Sequence, residues 1–413
     1  MTITIDSARL LAEIEALALI SEAEPPVVTR VVFTSADMRA RSWFIERCKD
    51  AGLSVRRDAI GNTFARWEGS DPQAAVVGTG SHIDAIPNAG KYDGVVGVLG
   101  GLEAIRALKR ARFQPANSIE LLLLTSEEPT RFGIGCLGSR LLAGVLSSDG
   151  ARKFTDENGE ALEDVRRKVG LTGELESVKL PADYYKAFVE LHIEQGPLLE
   201  RKQMPLGIVT KIAAPASARV TIEGSGGHAG GVLMPQRRDA LCAAAEMILL
   251  IETAARTSGS ADTVATVGMC DVFPGAVNSI PSRVEMDVDI RDTDEQRRNR
   301  VLREIEQACV QVAARRKLQV RVTPINADAP ASCSPRVIDA LVESAEENGL
   351  PYKKMVSRAY HDSLFMARIA PVGMVFIPCR GGVSHRPDEY SAPQEIETGA
   401  RVLASTLARL SQV

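Results

Sequence analysis

Short, nearly unbroken apolar runs alternate with amphipathic stretches through much of this chain, and each run stops at Gly, Ser or acidic residues. AAVVGTGSHID reads as a strand buried on both faces, delivering His82 at its carboxyl end. SIELLLLTSEE is a second such strand, ending in Glu127 and Glu128, and AFVELHIEQG a third, ending in His192 and Glu194. PVGMVFIPCRGGVSH is a fourth, leading to His385. Residues 6–21, residues 35–51 and GVVGVLGGLEAIRALKR read as helices, and LSVRRDA and GNTFARW as two short strands. Strand, motif and helix in repetition make an α/β sheet, where ligands gather at the carboxyl ends of strands.

From about residue 213 the texture changes. ASARVTIEG alternates apolar and polar as a half-exposed strand does, and PQRRDALCAAAEMILLIETAART is a long helix. TVATVGMCDVF and SRVEMDVDIRD follow as strands, then the helix DEQRRNRVLREIEQACVQVAARR and the strand LQVRVTPI. The order β-α-β-β-α-β is the ferredoxin-like split. We read residues 213–325 as an α+β domain inserted into a discontinuous first domain of residues 1–212 and 326–413.

Composition narrows the function classes. The chain has 413 residues, 45% hydrophobic and 25% charged, with net charge −4, which suits a soluble enzyme with ample core. The basic stretches near 296–300 and 315–321 read as solvated helix faces, so neither nucleic acid nor an anionic membrane is an expected partner. Seven scattered cysteines without a CxxC fit a reducing cytoplasm. The first twenty residues carry Asp and Glu within their apolar part and do not read as a signal peptide.

The chain has five histidines, and each sits in a short motif beside turn residues or carboxylates: GSHID, LHIEQGP, GGHAGG, AYHDS and GVSHRPDEY. None reads as ordinary core filler. His82, Asp93, Glu128, His192 and His385 combine imidazoles with carboxylates, a set that suits Zn²⁺, Mn²⁺ or Co²⁺ and is too nitrogen-rich for Ca²⁺. Five side chains fit two ions about 3.5–4 Å apart better than one, able to hold both a nucleophile and the carbonyl it attacks. Asp93, in a Gly-flanked loop, is the natural bridge. Asp84 is either an acceptor for the His82 ring N–H or a turn former before Ile86 and Pro87. Glu127 and Glu128 are adjacent at a strand end, so one can bind metal while the other takes a proton from the attacking water.

Across nearly its whole length the chain resembles the M20-type binuclear metallo-amidohydrolases, whose members act on N-carbamoyl-L-amino acids, allantoate or ureidoglycolate. The resemblance rests on GSHID…KYDGVVGVLGGLEAI, TSEEPTRFG, LHIEQGP, HAG…RRDAL, NSIPS…DVDIRD and GVSHRPDEY. It implies a metallopeptidase-like catalytic domain with a central mixed sheet, and an inserted lid and dimerisation domain. It implies two divalent ions per subunit, Mn²⁺ foremost, with Zn²⁺, Co²⁺ or Ni²⁺ as alternatives. One would sit on His82, Asp93 and His192, the other on Asp93, Glu128 and His385. Glu127 would be the general base and Gln195 would contact the scissile group. His228 would act across a homodimer on the partner's oxyanion, and Asn278 and Arg291 would bind a substrate carboxylate. An ion pair of Arg291 with Asp289 or Asp292 is the competing reading.

Two departures from the family pattern stand out. HAGGVLM replaces the common HAGTTPM, with Arg237 and Asp239 still in place, and Tyr360 stands where many members have glycine before the pair His361–Asp362. The resemblance puts Tyr360 and His361 at the substrate pocket, and the phenol either narrows that pocket or packs on the sheet edge. The expected substrate is a small ureido or carbamoyl carboxylate, foremost (S)-ureidoglycolate, with N-carbamoyl-L-amino acids and allantoate as alternatives. A nucleotide-binding oxidoreductase is the rival reading of GVVGVLGG. Its glycine spacing differs from that motif, and Asp93 would set negative charge beside a phosphate.

Overall fold

The computed structural model describes residues 3–412, which form two compact units. The first takes the chain up to Thr210, then Ser332–Ser357, then the chain from His361 onward; the second takes Lys211–Ala331 with Arg358–Tyr360. The strand Gln319–Ala327 runs on past Ile325, which is why the second unit outruns the boundary read from sequence.

The first unit is built on a mixed sheet. Val372–Ile377, Tyr185–Ile193, Val76–Ser81 and Ile119–Leu123 lie side by side in that order, all parallel. Thr63–Trp67 and then Ser54–Arg57 extend it antiparallel at one side, and Gly207–Ile212 lies antiparallel against Val372–Ile377 at the other. Every residue of Val76–Ser81, Ile119–Leu123 and Val372–Ile377 is buried. Helices cover the sheet, so these strands carry no polar alternation and read as unbroken apolar runs. Four parallel neighbours also end at the same edge, so the segments following them converge.

Helix Val95–Arg110 packs unusually close to this sheet. A Cβ on Gly97 would lie 2.4 Å from the Leu191 carbonyl oxygen, and one on Gly101 would lie 2.8 Å from Leu121 Cδ1. The glycines Gly97 and Gly101 of GVVGVLGG therefore serve the approach of helix to strand. Two features lay outside the sequence reading. The strand Lys353–Ser357 joins Gly207–Ile212, and Val28–Arg30 forms a separate ribbon with Ala85–Ala89.

The second unit is a four-stranded antiparallel sheet in the order Val264–Phe273, Arg283–Asp292, Ala214–Glu223, Gln319–Ala327. Helices Ala240–Arg256 and Glu295–Arg316 lie on it. Alternate residues Val284, Met286, Val288 and Ile290 face Ala243, Met247, Ile251, Val301 and Ile305 in its core. The first helix begins at Ala240, later than the apolar pattern suggested, because the Asp239 carboxylate accepts from the Leu241 and Cys242 N–H groups and caps it there. One residue of the basic stretch at 296–300 departs from the solvated face, while Gln296 and Arg300 are exposed. Arg298 is fully buried and donates to the carbonyls of Ala214 and Asp328. Among the described residues no helix is long and apolar enough to cross a membrane.

Gly97→Ala should destabilise the protein by about 1–3 kcal/mol, the usual cost of overpacking a tight contact. The measurement is the denaturant midpoint at unchanged m-value. A wild-type midpoint would mean that the helix can back away from Leu191 at no cost.

Candidate metal centre

The carboxyl edge of the parallel strands gathers the acidic and imidazole residues. His82 directly follows Val76–Ser81, and its Nδ1 lies 3.0 Å from the Asp84 carbonyl oxygen. His192 sits within Tyr185–Ile193, inside the strand, with Nδ1 2.9 Å from the Ile193 carbonyl oxygen. A backbone acceptor at Nδ1 fixes the N–H there, so each Nε2 presents a lone pair. Asp93 lies just before helix Val95–Arg110. Between them Gly94 takes φ +64°, and a Cβ there would lie 2.5 Å from the His82 ring. Only glycine gives both the turn and the room.

The two oxygens of Asp93 face different partners. Oδ1 lies 3.2 Å from His192 Nε2 and 3.6 Å from His82 Nε2, whereas Oδ2 lies 3.4 Å from His385 Nε2. His385 Nε2 is in turn 2.9 Å from Glu128 Oε1. His82, Asp93 and His192 thus form one group with donor atoms within 4.8 Å of one another, and Asp93, Glu128 and His385 form another. Glu127 stands beside the first, its Oε2 3.7 Å from His82 Nε2. The Cys136 thiol donates to its other oxygen at 3.6 Å.

Asp84 is placed otherwise than expected. Its carbonyl, not its carboxylate, takes the His82 N–H; the carboxylate oxygen is 3.8 Å from Nδ1. The carboxylate instead accepts the backbone N–H of Glu127 at 3.3 Å and of Glu128 at 3.1 Å. It therefore fixes the bend that lets two neighbouring glutamates both face the site.

Electrostatics here calls for positive charge. Burial pushes the Glu127 carboxyl well above its usual range, and the charges of Glu128, Asp362 and Asp93 add to this against His82. Burial also opposes ionisation of Asp93, but contacts with His192, His385 and His82 prevail and hold it well below. Hydrogen bonds to Asp93 and Glu128 raise His385 to about 11. Asp93 Oδ1 faces both Nε2 atoms, so with neutral rings acceptor would meet acceptor, and either ring protons or a cation must lie between. Imidazole nitrogen and carboxylate oxygen together are the donors of a divalent transition ion, and both groups fit one.

Other residues complete the setting. Gln195, at φ +54°, donates from Nε2 to Asp93 Oδ2 at 2.7 Å, and its buried Oε1 has no partner. His361 is buried, with Nε2 3.0 Å from Ser357 Oγ and its ring edge-on to His192 at 4.5 Å. Glu194 accepts from the N–H groups of Leu198 and Leu199 and starts a short helix. Glu389 was missed from sequence, although it lies in the quoted motif GVSHRPDEY. It is buried against Tyr92 and Asp93. Burial and the Asp93 charge raise it to about 7.

The remaining candidates belong to the second unit. His228 is exposed, paired across a two-residue ribbon with Ser279, and the Ala229 N–H donates to the Asn278 carbonyl at 2.8 Å. Asn278 is exposed as well. Arg237 holds this loop through the carbonyls of Ala229 and Val232. Arg291 donates from Nε to Asp289 Oδ1 at 2.8 Å, the ion pair weighed as the alternative. Its guanidinium also lies 5.5 Å from the centre of the Tyr360 ring.

A metal-site α/β unit carrying a ferredoxin-like unit is the architecture of a known hydrolase class. The model of peptidase family M20/M25/M40 matches residues 78–409, and the chain belongs to that family. Among its relatives, ureidoglycolate hydrolase of Oryza sativa subsp. japonica is 51% identical over 98% of this chain and 85% of its own. N-carbamoyl-L-amino-acid amidohydrolase of Pseudomonas sp. is 38% identical over 99% of both chains. Crystal structures of AtUAH, in complex with (S)-hydroxyglycine and with glyoxylate, superpose with TM-score 0.91 at 50% identity, covering 99% of this chain and 98% of theirs.

Gly94→Ala should cripple metal binding while leaving the fold, since its methyl group meets the His82 ring. Metal analysis after dialysis against Mn²⁺ should show at least one ion fewer than wild type, with an unchanged circular dichroism spectrum. Full loading would show that His82 can yield without losing its role.

Proposed function

We propose that this chain is a two-metal amidohydrolase that cleaves the ureido C–N bond of (S)-ureidoglycolate. The observation that carries this reading is the division of the two Asp93 oxygens between two ligand groups, with Glu127 beside one of them. His82, Asp93 and His192 would hold one ion, and Asp93, Glu128 and His385 the other; Mn²⁺ is the first choice, with Zn²⁺, Co²⁺ or Ni²⁺ as alternatives. When bound, the ions polarise the ureido carbonyl and make water a better nucleophile.

Glu127 Oε2 takes the proton of the attacking water and passes it to the departing nitrogen. The thiol of Cys136 holds the other oxygen and leaves Oε2 for this work. Gln195 orients the scissile group. Arg291 and Asn278 bind the substrate carboxylate, Arg291 through its fork and in exchange for Asp289. Tyr360 and His361 bound the pocket. His228 acts in a homodimer, donating to the oxyanion in the partner's site. The inserted unit is then lid and dimerisation domain. The relatives support the substrate. (S)-Hydroxyglycine, bound in one AtUAH structure, is what remains of ureidoglycolate once water has cleaved the ureido carbonyl from nitrogen. It loses ammonia to give glyoxylate, and the carbamate released alongside gives ammonia and CO₂. We place this reaction in purine-nitrogen recovery in the cytoplasm.

A substrate panel after reconstitution with Mn²⁺, Zn²⁺ or Co²⁺ tests the assignment. Ureidoglycolate should be turned over far faster than allantoate or N-carbamoyl amino acids. Preference for a carbamoyl amino acid, with ureidoglycolate inert, would move the chain to that branch of the family.

Glu127→Gln should retain both metals and lose on the order of 10²-fold or more in kcat. Near-wild-type turnover in the loaded variant would reassign the base. Mixing this variant with His228→Ala should restore about a quarter of wild-type activity after subunit exchange, because half of random dimers are mixed and each has one intact site. No recovery after proven exchange would place His228 in its own chain's site.

A further inference from the structure

One side chain ties together both loops that carry Asp93 and His385. Glu389 is 4% exposed and lies in the turn after His385. Its Oε1 accepts the backbone N–H of Tyr92 at 2.8 Å and of Asp93 at 3.0 Å. Its Oε2 lies 2.9 Å from Ser384 Oγ, which also contacts Asp93 Oδ2, so the one hydroxyl hydrogen is shared between the two carboxylates. The carboxylate therefore grips Asp93 twice: at the main chain directly, and at the side chain through Ser384, which adjoins His385. A Cβ on Gly90 would lie 2.4 Å from Glu389 Cβ and 2.7 Å from its Oε1, so the 90–93 loop lies flat on the glutamate only because residue 90 has no side chain. Among the described residues, the Tyr92 and Asp93 N–H groups donate to Glu389 and to no other acceptor.

We infer that Glu389 is a positioning residue that sets the bridging carboxylate of Asp93 against His385, and so fixes the affinity of the ion shared by Asp93, Glu128 and His385. The inference rests on the two-metal reading above. Nothing in it requires Glu389 to touch metal or substrate. Its oxygens are turned to two N–H groups and the Ser384 hydroxyl, so it faces the loops. Partners that orient a ligand in this way commonly change metal affinity by about 10–100-fold when removed.

The test is a titration of metal-stripped wild type, Glu389→Ala, Glu389→Gln and Ser384→Ala with Mn²⁺, reading stoichiometry and the dissociation constant of each ion by calorimetry. Melting temperature in EDTA is read in parallel. Glu389→Ala should weaken one of the two ions about 10–100-fold and the other much less. Glu389→Gln keeps an oxygen for the two N–H groups and a polar group toward Ser384, and should recover most of the affinity. Ser384→Ala should give a smaller loss in the same ion. Wild-type affinity for both ions in Glu389→Ala would overturn the inference, as would equal weakening of both. Loss in Glu389→Gln as great as in Glu389→Ala would also overturn it, because shape and acceptors are kept. A wild type that takes only one ion would instead overturn the two-metal reading. Should Glu389→Ala fail to fold, the paired Gln and Ser384→Ala titrations still decide, since a purely structural defect would lower the EDTA melting temperature without separating the two ions.

Discussion

A buried carboxylate shared among three imidazoles organises the catalytic unit. Removing a charge from water costs several kcal/mol even after relaxation, so Asp93 can be ionised at 8% exposure only because its surroundings answer it. His82 follows one strand, His192 lies near the end of another and His385 comes from the loop beyond a third, and each reaches Asp93 with Nε2. The parallel order of four neighbouring strands makes this convergence possible, for it lays their carboxyl ends along one edge. Gly94 then lets the chain turn into helix Val95–Arg110 without striking the His82 ring, and Gly97 lets that helix lie against the strand that carries His192.

The polar groups behind these imidazoles and glutamates serve orientation more than charge. Two imidazoles are fixed by main-chain carbonyls, which cannot be lost by substitution of a side chain. Asp84 turns its carboxylate to the amides of Glu127 and Glu128, and so holds two adjacent glutamates in a bend that a regular strand would forbid. The second unit follows a different plan. Its sheet alternates buried apolar with exposed polar residues beneath two helices, and its noteworthy side chains lie on loops and strand ends. Arg237 props the loop bearing His228, and Arg291 is engaged by Asp289 and the ring of Tyr360.

Much of this was legible in the sequence because three of the four parallel strands are apolar runs that lead directly to a histidine or a glutamate pair. The ferredoxin-like order was legible for a related reason, since strand alternation and helical periodicity differ clearly there. What escaped was contact between segments distant in the chain. Asp84 could be seen to neighbour His82, but not that its carboxylate would reach amides more than forty residues on. Glu389 looked like one more acidic residue in a turn, because its partners at 92 and 93 lie almost three hundred positions earlier. Arg298 sat in a run of charge that periodicity assigns to solvent, yet it goes inward to meet main-chain carbonyls at the junction of strand and loop. The short edge strand Lys353–Ser357 carries too few residues for its period to be read.

The crowd of acids around Asp93 has a consequence for the protein's lifetime in a cell. Asp84, Glu127, Glu128, Asp362 and Glu389 are all buried in the same region, and their mutual repulsion weighs against the folded state, a cost that bound cations would offset. A ligand that binds only the native form adds stability in proportion to the logarithm of its free concentration, about 2.7 kcal/mol at a hundred times its dissociation constant. For a domain of ordinary marginal stability that is a large share of the total. The trace-metal supply would then govern how much of this enzyme survives proteolysis, as well as how fast each surviving molecule works, so scarcity would lower its abundance and its turnover together.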